Sequence, residues 1–451
     1  MSDEKFIFTG GAKKTLAIVL AAGIVLAILG VIMINSGGHG HEEAGHAIEA
    51  TAHAGHDAHA SHGLEAHAEA GHSDHGDGHG AFHWTTRLKA DLWINNLYFL
   101  GLAAIGVFFI AIQYVAQAGW SVGLKRIPMA MASWLPIAGA LMVVLFFYAG
   151  HDLFHWTHSS LYAEVGGDEI LKGKAGYFFW PLEHGGFPAF YFARMIIFIG
   201  VWYWFFTKIR KHMLTEDIEG GTDSWWKSKV VSAAFLVFFG YSSSIAAWDW
   251  VMSIDPHWFS TMFGWYVFAS WWVTGLAFIA FTAALLKDAG YLKIVNSNHF
   301  HDIGKFVWGF SIFWTYIWFS QFLLIYYANI PEETIYFVER LQSDKYAPFF
   351  FLNLIVNFVL PFLLLMTRDS KRHTRILKVV CPIVMVGHWI DFYMMVTPGT
   401  LKENGGFGLL EVGLFMVFAS AFIFVLLRAL AKYPLIAKNH PMMGETLHHH
   451  I

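Results

Sequence analysis

Ten separate runs of about 20 apolar residues occur in this 451-residue chain, and each is long enough to carry an α-helix across the roughly 30 Å hydrocarbon core of a bilayer. They lie at residues 16–34, 92–114, 129–150, 187–207, 230–254, 259–286, 306–328, 347–366, 376–396 and 407–430. Inside hydrocarbon every backbone N–H and C=O must find a partner within the protein, which leaves only helices and closed barrels. Barrel strands alternate in polarity over about 10 residues; these runs are longer and apolar on every face. Composition agrees, because 14% of the residues are charged, against about 25% in soluble domains. The expected fold class is an all-α polytopic membrane protein with about ten transmembrane helices. The first run reads as a membrane helix and not as a cleaved signal, since it is long and no A-x-A site follows it.

Lysine and arginine then set the orientation. Over alternate connecting segments, 21 of them fall on one side of the runs and 7 on the other, with Arg194 inside a run. By the positive-inside rule both termini are expected in the cytoplasm. The chain divides into an N-terminus with the first helix (1–35), an outside histidine-rich loop (36–90), two helical halves (91–258 and 259–398), and a tenth helix with a cytoplasmic tail (399–451).

The two halves look duplicated. The third and seventh runs end in similar text, LFFYA at 145–149 and LIYYA at 324–328. The fourth and eighth open with PAFY at 188–191 and PFFF at 348–351. The fifth and ninth end in Asp249-Trp-Val-Met and Asp391-Phe-Tyr-Met, each with a proline seven residues after the aspartate. Three matches in one order, four helices apart, predict two four-helix bundles, helices 2–5 and 6–9, flanked by helices 1 and 10.

An ionisable side chain in hydrocarbon costs about 2.5–3.5 kcal/mol on insertion scales, so such residues face a bundle interior and have partners. The candidates are Arg194, Asp249, His388, Asp391 and Glu411, with His151, Asp152, His155 and Asp255 at helix ends. All fall toward the outside face. His388 and Asp391 are three residues apart and share a helix face, and an imidazole beside a carboxylate can pass protons. Arg194 and Asp249 can equally form an inert ion pair that pins two helices. Glu411 lies near enough to the interface for a solvated role. Tyr316, Ser320, Gln321, Asn353, Asn357 and the run Ser242 to Ser244 could continue a polar path, or simply make interhelical hydrogen bonds worth about 0.6 kcal/mol each.

Several chemistries are excluded. The single cysteine, Cys381, cannot hold an iron–sulfur cluster or form a disulfide within the chain, and no C-x-x-C-H attaches haem. Haem b needs two facing histidines, and His388 is the only one deep in a run. A net charge of −4 gives no basic surface for nucleic acid. No catalytic motif and no metal set is expected. A metal-ion transporter is the reading that the histidines invite, but such sites gather ligands near the midplane, and here the ionisable groups lie outward.

Two stretches are distinctive as text: WDWVMSIDPHWFSTMFG at 248–264 and FWTYIWFSQFLLIYYANIPEET at 313–334. Both resemble the polysulfide-reductase (NrfD-like) membrane subunits, specifically the second such subunit of bacterial alternative complex III. The resemblance spans essentially the whole chain. It implies a non-redox subunit of a respiratory quinol:cytochrome c oxidoreductase in the bacterial inner membrane, structural and with a proton path in its outer half. It also implies no cofactor bound by this chain, menaquinol or another quinol in the complex, and haem c and iron–sulfur clusters on partners. Those partners would be the sister NrfD-like subunit, multihaem cytochrome c and iron–sulfur subunits, membrane lipids and a terminal oxidase. Quinol binding by this chain itself, near Arg194, His151 and Asp249, stays open. Asp249, Asp255, His257, Tyr316, Ser320 and Gln321 lie in the matching text.

Twelve of the 26 histidines fall between His39 and His83, together with eight acids and no Lys or Arg. Such a segment lacks the apolar periodicity for a core and reads as a periplasmic linker, with proton buffering or weak metal scavenging as the alternative.

Overall fold

The computed structural model describes the backbone of residues 4–52 and 84–450, and the side chains of 4–36 and 84–450. Among the described residues ten helices are long and apolar enough to cross a membrane. These spans, first to tenth, are Gly10–Ser36, Trp84–Val115, Arg126–Leu153, Ala189–Glu219, Asp223–Ile254, Phe263–Asp288, Ser297–Ala328, Ala347–Leu364, Thr374–Asn404 and Leu409–Leu430. Among the described residues the only strand-like pairing is an isolated bridge between Lys5 and Pro434. The chain is thus an all-α polytopic membrane protein. The side chains of the histidine-rich stretch 39–83 lie outside the described residues.

Several helices outrun the apolar runs that announced them. The second begins at Trp84, and the fourth continues to Glu219, about 46 Å at 1.5 Å per residue. The extra turns carry Arg87, Lys89, Asp91, Glu216 and Asp217. Hydropathy ends where charge begins, but a helix continues into the interface as long as its charges are paired or wet.

The spans close two rings. The second packs on the third and fifth, and the fourth on the third and fifth; the sixth to ninth repeat this arrangement. The rings meet through the second span, which touches the sixth and ninth, and through contact of the fifth with the sixth. Glycine permits the closest approach. A Cβ on Gly101 would lie 1.9 Å from the Trp271 ring, and one on Gly275 would lie 2.2 Å from Ile105 Cγ2. Each helix of this pair thus receives a bulky side chain of the other in a notch. Tyr98 Oη donates to the Met385 carbonyl at 2.8 Å, and Trp389 Nε1 to Asn95 Oδ1 at 3.1 Å, across the same seam.

The tenth span packs on the second, and the first on the tenth. There a Cβ on Gly23 would come within 2.8 Å of the Gly413 carbonyl oxygen, and one on Gly30 within 2.4 Å of Leu410 N. Small residues let these backbones touch, which supplies contact where lipid offers no hydrophobic drive.

Each bundle also carries a short rim helix between its second and third spans, on the side of the slab that is poor in lysine and arginine. The first, Glu169–Phe179, starts at Asp168, whose Oδ1 accepts from Ile170 N at 2.9 Å and Leu171 N at 3.1 Å. The second, Pro331–Leu341, has proline in its first turn beside Glu332 and Glu333, and Arg340 in its last, charges that complement the helix dipole.

Candidate functional site

The repeated aspartates are both fully buried, Asp249 next to the end of its helix and Asp391 well inside the helix Thr374–Leu401, and their surroundings differ. Asp249 faces a cation. Arg194 Nε donates to Asp249 Oδ2 at 2.7 Å and Nη2 to Oδ1 at 2.9 Å, while Nη1 donates to the Tyr177 carbonyl at 2.8 Å. The guanidinium lies 4.1 Å from the Tyr177 ring and 4.5 Å from the Phe190 ring. All three nitrogens are engaged, so the pair ties the fourth and fifth spans and the first rim helix together.

Among the described residues Asp391 pairs with no lysine or arginine. Its Oδ1 accepts from Tyr266 Oη and from Asn353 Nδ2 at 2.7 Å, and its Oδ2 from Ser270 Oγ at 2.5 Å and Trp314 Nε1 at 3.0 Å. The donors come from the sixth, seventh and eighth spans, so four neutral groups replace the water that a carboxylate would otherwise hold. One turn away, His388 Nδ1 stands 3.8 Å from Asp391 Oδ2, beyond hydrogen-bond length. The His388 side chain is fully buried, and neither ring nitrogen has a hydrogen-bond partner among the described residues. The Trp314 ring meets it edge-on, with centroids 5.3 Å apart.

The eighth span is shaped to reach this carboxylate. Pro361 has no N–H for the Asn357 carbonyl, and the helix widens by one residue over Ile355–Val359, where Leu360 N bonds the Ile355 carbonyl. Asn357 is thereby laid over Gly387, where a Cβ would be only 2.2 Å from its Oδ1. Asn357 Nδ2 donates to Asn353 Oδ1 at 2.5 Å, which turns the Asn353 amide hydrogens toward Asp391.

Toward the cation-poor side, Tyr266 and Asn353 line a cavity of about 20 Å³, shared with Gln321, Trp258, Tyr336 and Arg340. That volume holds about one water. Beyond it, Trp258 and Tyr336 stack at 3.9 Å and 12°, and both also line an open vestibule of about 580 Å³. Arg340 braces this divide. Its Nη2 donates to Asp255 Oδ2 at 3.2 Å, its Nη1 to the Tyr336 carbonyl at 2.8 Å and its Nε to the Met394 carbonyl at 3.1 Å. Pro398, four residues after Met394 in the same helix, cannot supply that carbonyl's usual amide. The vestibule wall carries Asp152, His155, His158, Asp255, His257, Glu332 and Glu339. Burial and the neighbouring Asp255 push the Glu339 carboxyl above its ordinary value. Burial alone would also raise Asp168, but its hydrogen bond from His257 and the N–H groups of Leu171 and Ile170 outweigh that and hold it low.

The remaining sequence candidates fall in several places. Gln321 accepts from Ser260 Oγ at 2.9 Å and lines the small cavity. Asp152 pairs with Lys89, and the His151 ring stacks on His158 at 4.1 Å. Glu411 is buried and bound by both Arg87 Nε and Nη2, the latter at 2.8 Å, so its role is a paired and not a solvated one. Tyr316 is 65% exposed on the lipid-side face of the seventh span; two residues from Trp314, about 200° around the helix, it points away from the carboxylate.

The sequence reading passed over Arg340, Asp91 and a cluster at the cation-rich end of the first bundle. Asp91 is buried beside the Arg87–Glu411 pair, and neither of its oxygens is hydrogen-bonded among the described residues. In the cluster, Lys125 Nζ lies 3.2 Å from Glu216 Oε1 and Tyr114 Oη donates to Glu216 Oε2 at 3.1 Å. Burial, with Arg126 nearby, lowers Lys125 to about 8 against the pull of Glu216. Continuing each helical pattern up to three turns past its apolar run would have found all but Arg340.

Among the described residues no group of three or more His, Cys, Asp or Glu side chains is arranged to hold a metal ion. No protein-family model matches the chain, and no curated protein matches it.

Proposed function

We propose that this chain is a non-redox membrane subunit of a quinol-oxidising respiratory complex of the alternative complex III type, and that its second bundle releases protons outward through Asp391. The observation that carries the proposal is the contrast between the two repeats. Asp249 is locked by Arg194, whereas Asp391 is held by neutral donors next to an imidazole with both nitrogens open. Oxidation of a quinol releases two protons and two electrons. The electrons pass to redox centres on partner subunits, and the protons need titratable groups that reach the outside. With the cation-poor side outward, His388 and Asp391 receive the proton. The Tyr266 hydroxyl, which touches both Asp391 and the small cavity, relays it. The vestibule carboxylates then accept it beyond the Trp258–Tyr336 stack. The cavity has room for water but not for a quinone ring, which favours proton transfer over quinol binding at this position.

The test uses the assembled complex in liposomes, comparing wild type with Asp391→Asn and His388→Ala. Both substitutions are expected to lower proton release per quinol, or turnover, with subunit content unchanged. Normal assembly with unchanged proton yield and turnover would refute the proposal. A scaffold role is the second reading, favoured by the donors that three other helices send to Asp391. Under that reading Asp391→Asn reduces the amount of assembled complex and leaves the activity of each assembled copy intact.

A further inference from the structure

On the cation-rich side, a groove of about 210 Å³ opens between the third, fourth and tenth spans. Arg210 lines it from the fourth span, and Arg428 and Lys432 from the end of the tenth. No carboxylate lines it. Among the described residues the three side chains make no ion pair or hydrogen bond; Arg210 lies over the Phe206 ring at 4.9 Å, and Lys432 over Tyr433 at 5.4 Å. Their neighbours behave differently. Lys125 and Arg126, on the same side, are neutralised by Glu216 and Asp217. The groove thus gathers three cations around one opening with no carboxylate among its lining residues.

The groove is also graded. Met129, Val425 and Ala429 supply apolar wall, while Ser133 and Tyr433 supply hydroxyls. Apolar surface continues toward the membrane interior, where Ile137 and Phe424 are exposed on the third and tenth spans. Positive charge at the interface over apolar helix surface is the arrangement that holds an anionic lipid headgroup with its acyl chains alongside. Arginine suits phosphate oxygens, because its fork donates two parallel hydrogen bonds. One phosphodiester carries one negative charge and would leave two of the cations uncompensated. Two phosphates joined through a glycerol carry two charges and can meet cations on both walls.

We propose that this groove is a binding site for a diphosphatidyl lipid of the cardiolipin class, with Arg210 on one wall and Arg428 and Lys432 on the other as its phosphate ligands. The site is independent of the proton path, which lies at the opposite end of the other bundle.

Native mass spectrometry of the full-length protein in detergent tests it, with cardiolipin, phosphatidylglycerol or inorganic phosphate added separately. Wild type is expected to retain cardiolipin in preference to phosphatidylglycerol, and millimolar phosphate is expected not to displace it. At about fivefold per interfacial cation, the double variant Arg210→Gln/Arg428→Gln should bind cardiolipin about 25-fold more weakly. Arg428→Lys should keep most of the binding. Lys208→Gln/Lys211→Gln, which removes two charges from the fourth span outside the groove, should bind as wild type does. Among the described residues neither arginine has an ion-pair or hydrogen-bond partner to orphan, and retained helicity and elution volume establish that the double variant is folded. Equal retention of the two lipids, displacement by phosphate, or a folded double variant that binds cardiolipin undiminished would each overturn the assignment.

Discussion

The Arg194–Asp249 pair makes a sharp quantitative demand. Replacing Asp249 by asparagine keeps the shape but removes the charge. One amide oxygen can still accept from the guanidinium, and the amide NH₂ then faces the other guanidinium nitrogen, donor against donor. Arg194 keeps the Tyr177 carbonyl and the faces of Tyr177 and Phe190. These do not neutralise a cation that is 7% exposed. Breaking a buried pair from one side costs about 3–5 kcal/mol, whereas replacing both partners by apolar residues is often neutral or better. Arg194→Leu alone should cost a similar amount by stranding Asp249. Arg194→Leu/Asp249→Leu should lose less than either single variant, since it strands no buried charge. Reversible unfolding in mixed micelles, run as a double-mutant cycle over Arg194→Leu, Asp249→Leu and their combination, measures the coupling. If the double variant loses the sum of the two singles, the groups are not paired in the folded protein, and the contrast between the bundles fails with them.

Three further outcomes follow from local geometry. Glu339 is raised, so its contribution to stability is full below pH 4.5, the ordinary value for its carboxyl, and is lost as pH rises through its folded value. Glu339→Gln, neutral throughout, should therefore unfold at a higher temperature than wild type at pH 8, with the difference shrinking at pH 4; a pH-independent difference would contradict the burial of this carboxyl. Gly101→Ala places a methyl group inside the Trp271 ring and should cost about 1–3 kcal/mol in the same unfolding assay, whereas Gly176→Ala, where a Cβ meets nothing within 4 Å, should not destabilise. Gly387→Ala should push Asn357 off the ninth span and alter proton yield together with stability, since Asn357 orients the amide that serves Asp391; a purely thermal effect would separate that amide from the site's function.

The number of membrane helices and their grouping into two bundles were legible because hydropathy and a short internal repeat report them directly. The pairing of Arg194 with Asp249 was legible only as a possibility, because an ion pair and a proton relay use the same residue types. What decided between them is lateral. Asp391 and Asp249 occupy equivalent positions in text, and only the packed bundle reveals that one meets a guanidinium and the other Tyr266, Ser270, Trp314 and Asn353. The rim helices escaped notice because they are short and amphipathic, and Arg340 with them. In the sequence Pro398 marks the repeat, seven residues after Asp391. Its structural consequence, a freed Met394 carbonyl that Arg340 fills, depends on the ninth helix running on past it, whereas the equivalent Pro256 lies beyond the end of the fifth.

The interlocked notches of the second and sixth spans bear on which machines this protein can be. A carrier that alternates access by rocking one repeat against the other needs an interface that slides. Here Trp271 sits in the notch of Gly101 and Ile105 in that of Gly275, a reciprocal mortise that resists both sliding and rotation because either side chain must leave its socket first. Opening toward either face then falls to side chains and rim helices, which is the scale of movement that the proposed proton path requires.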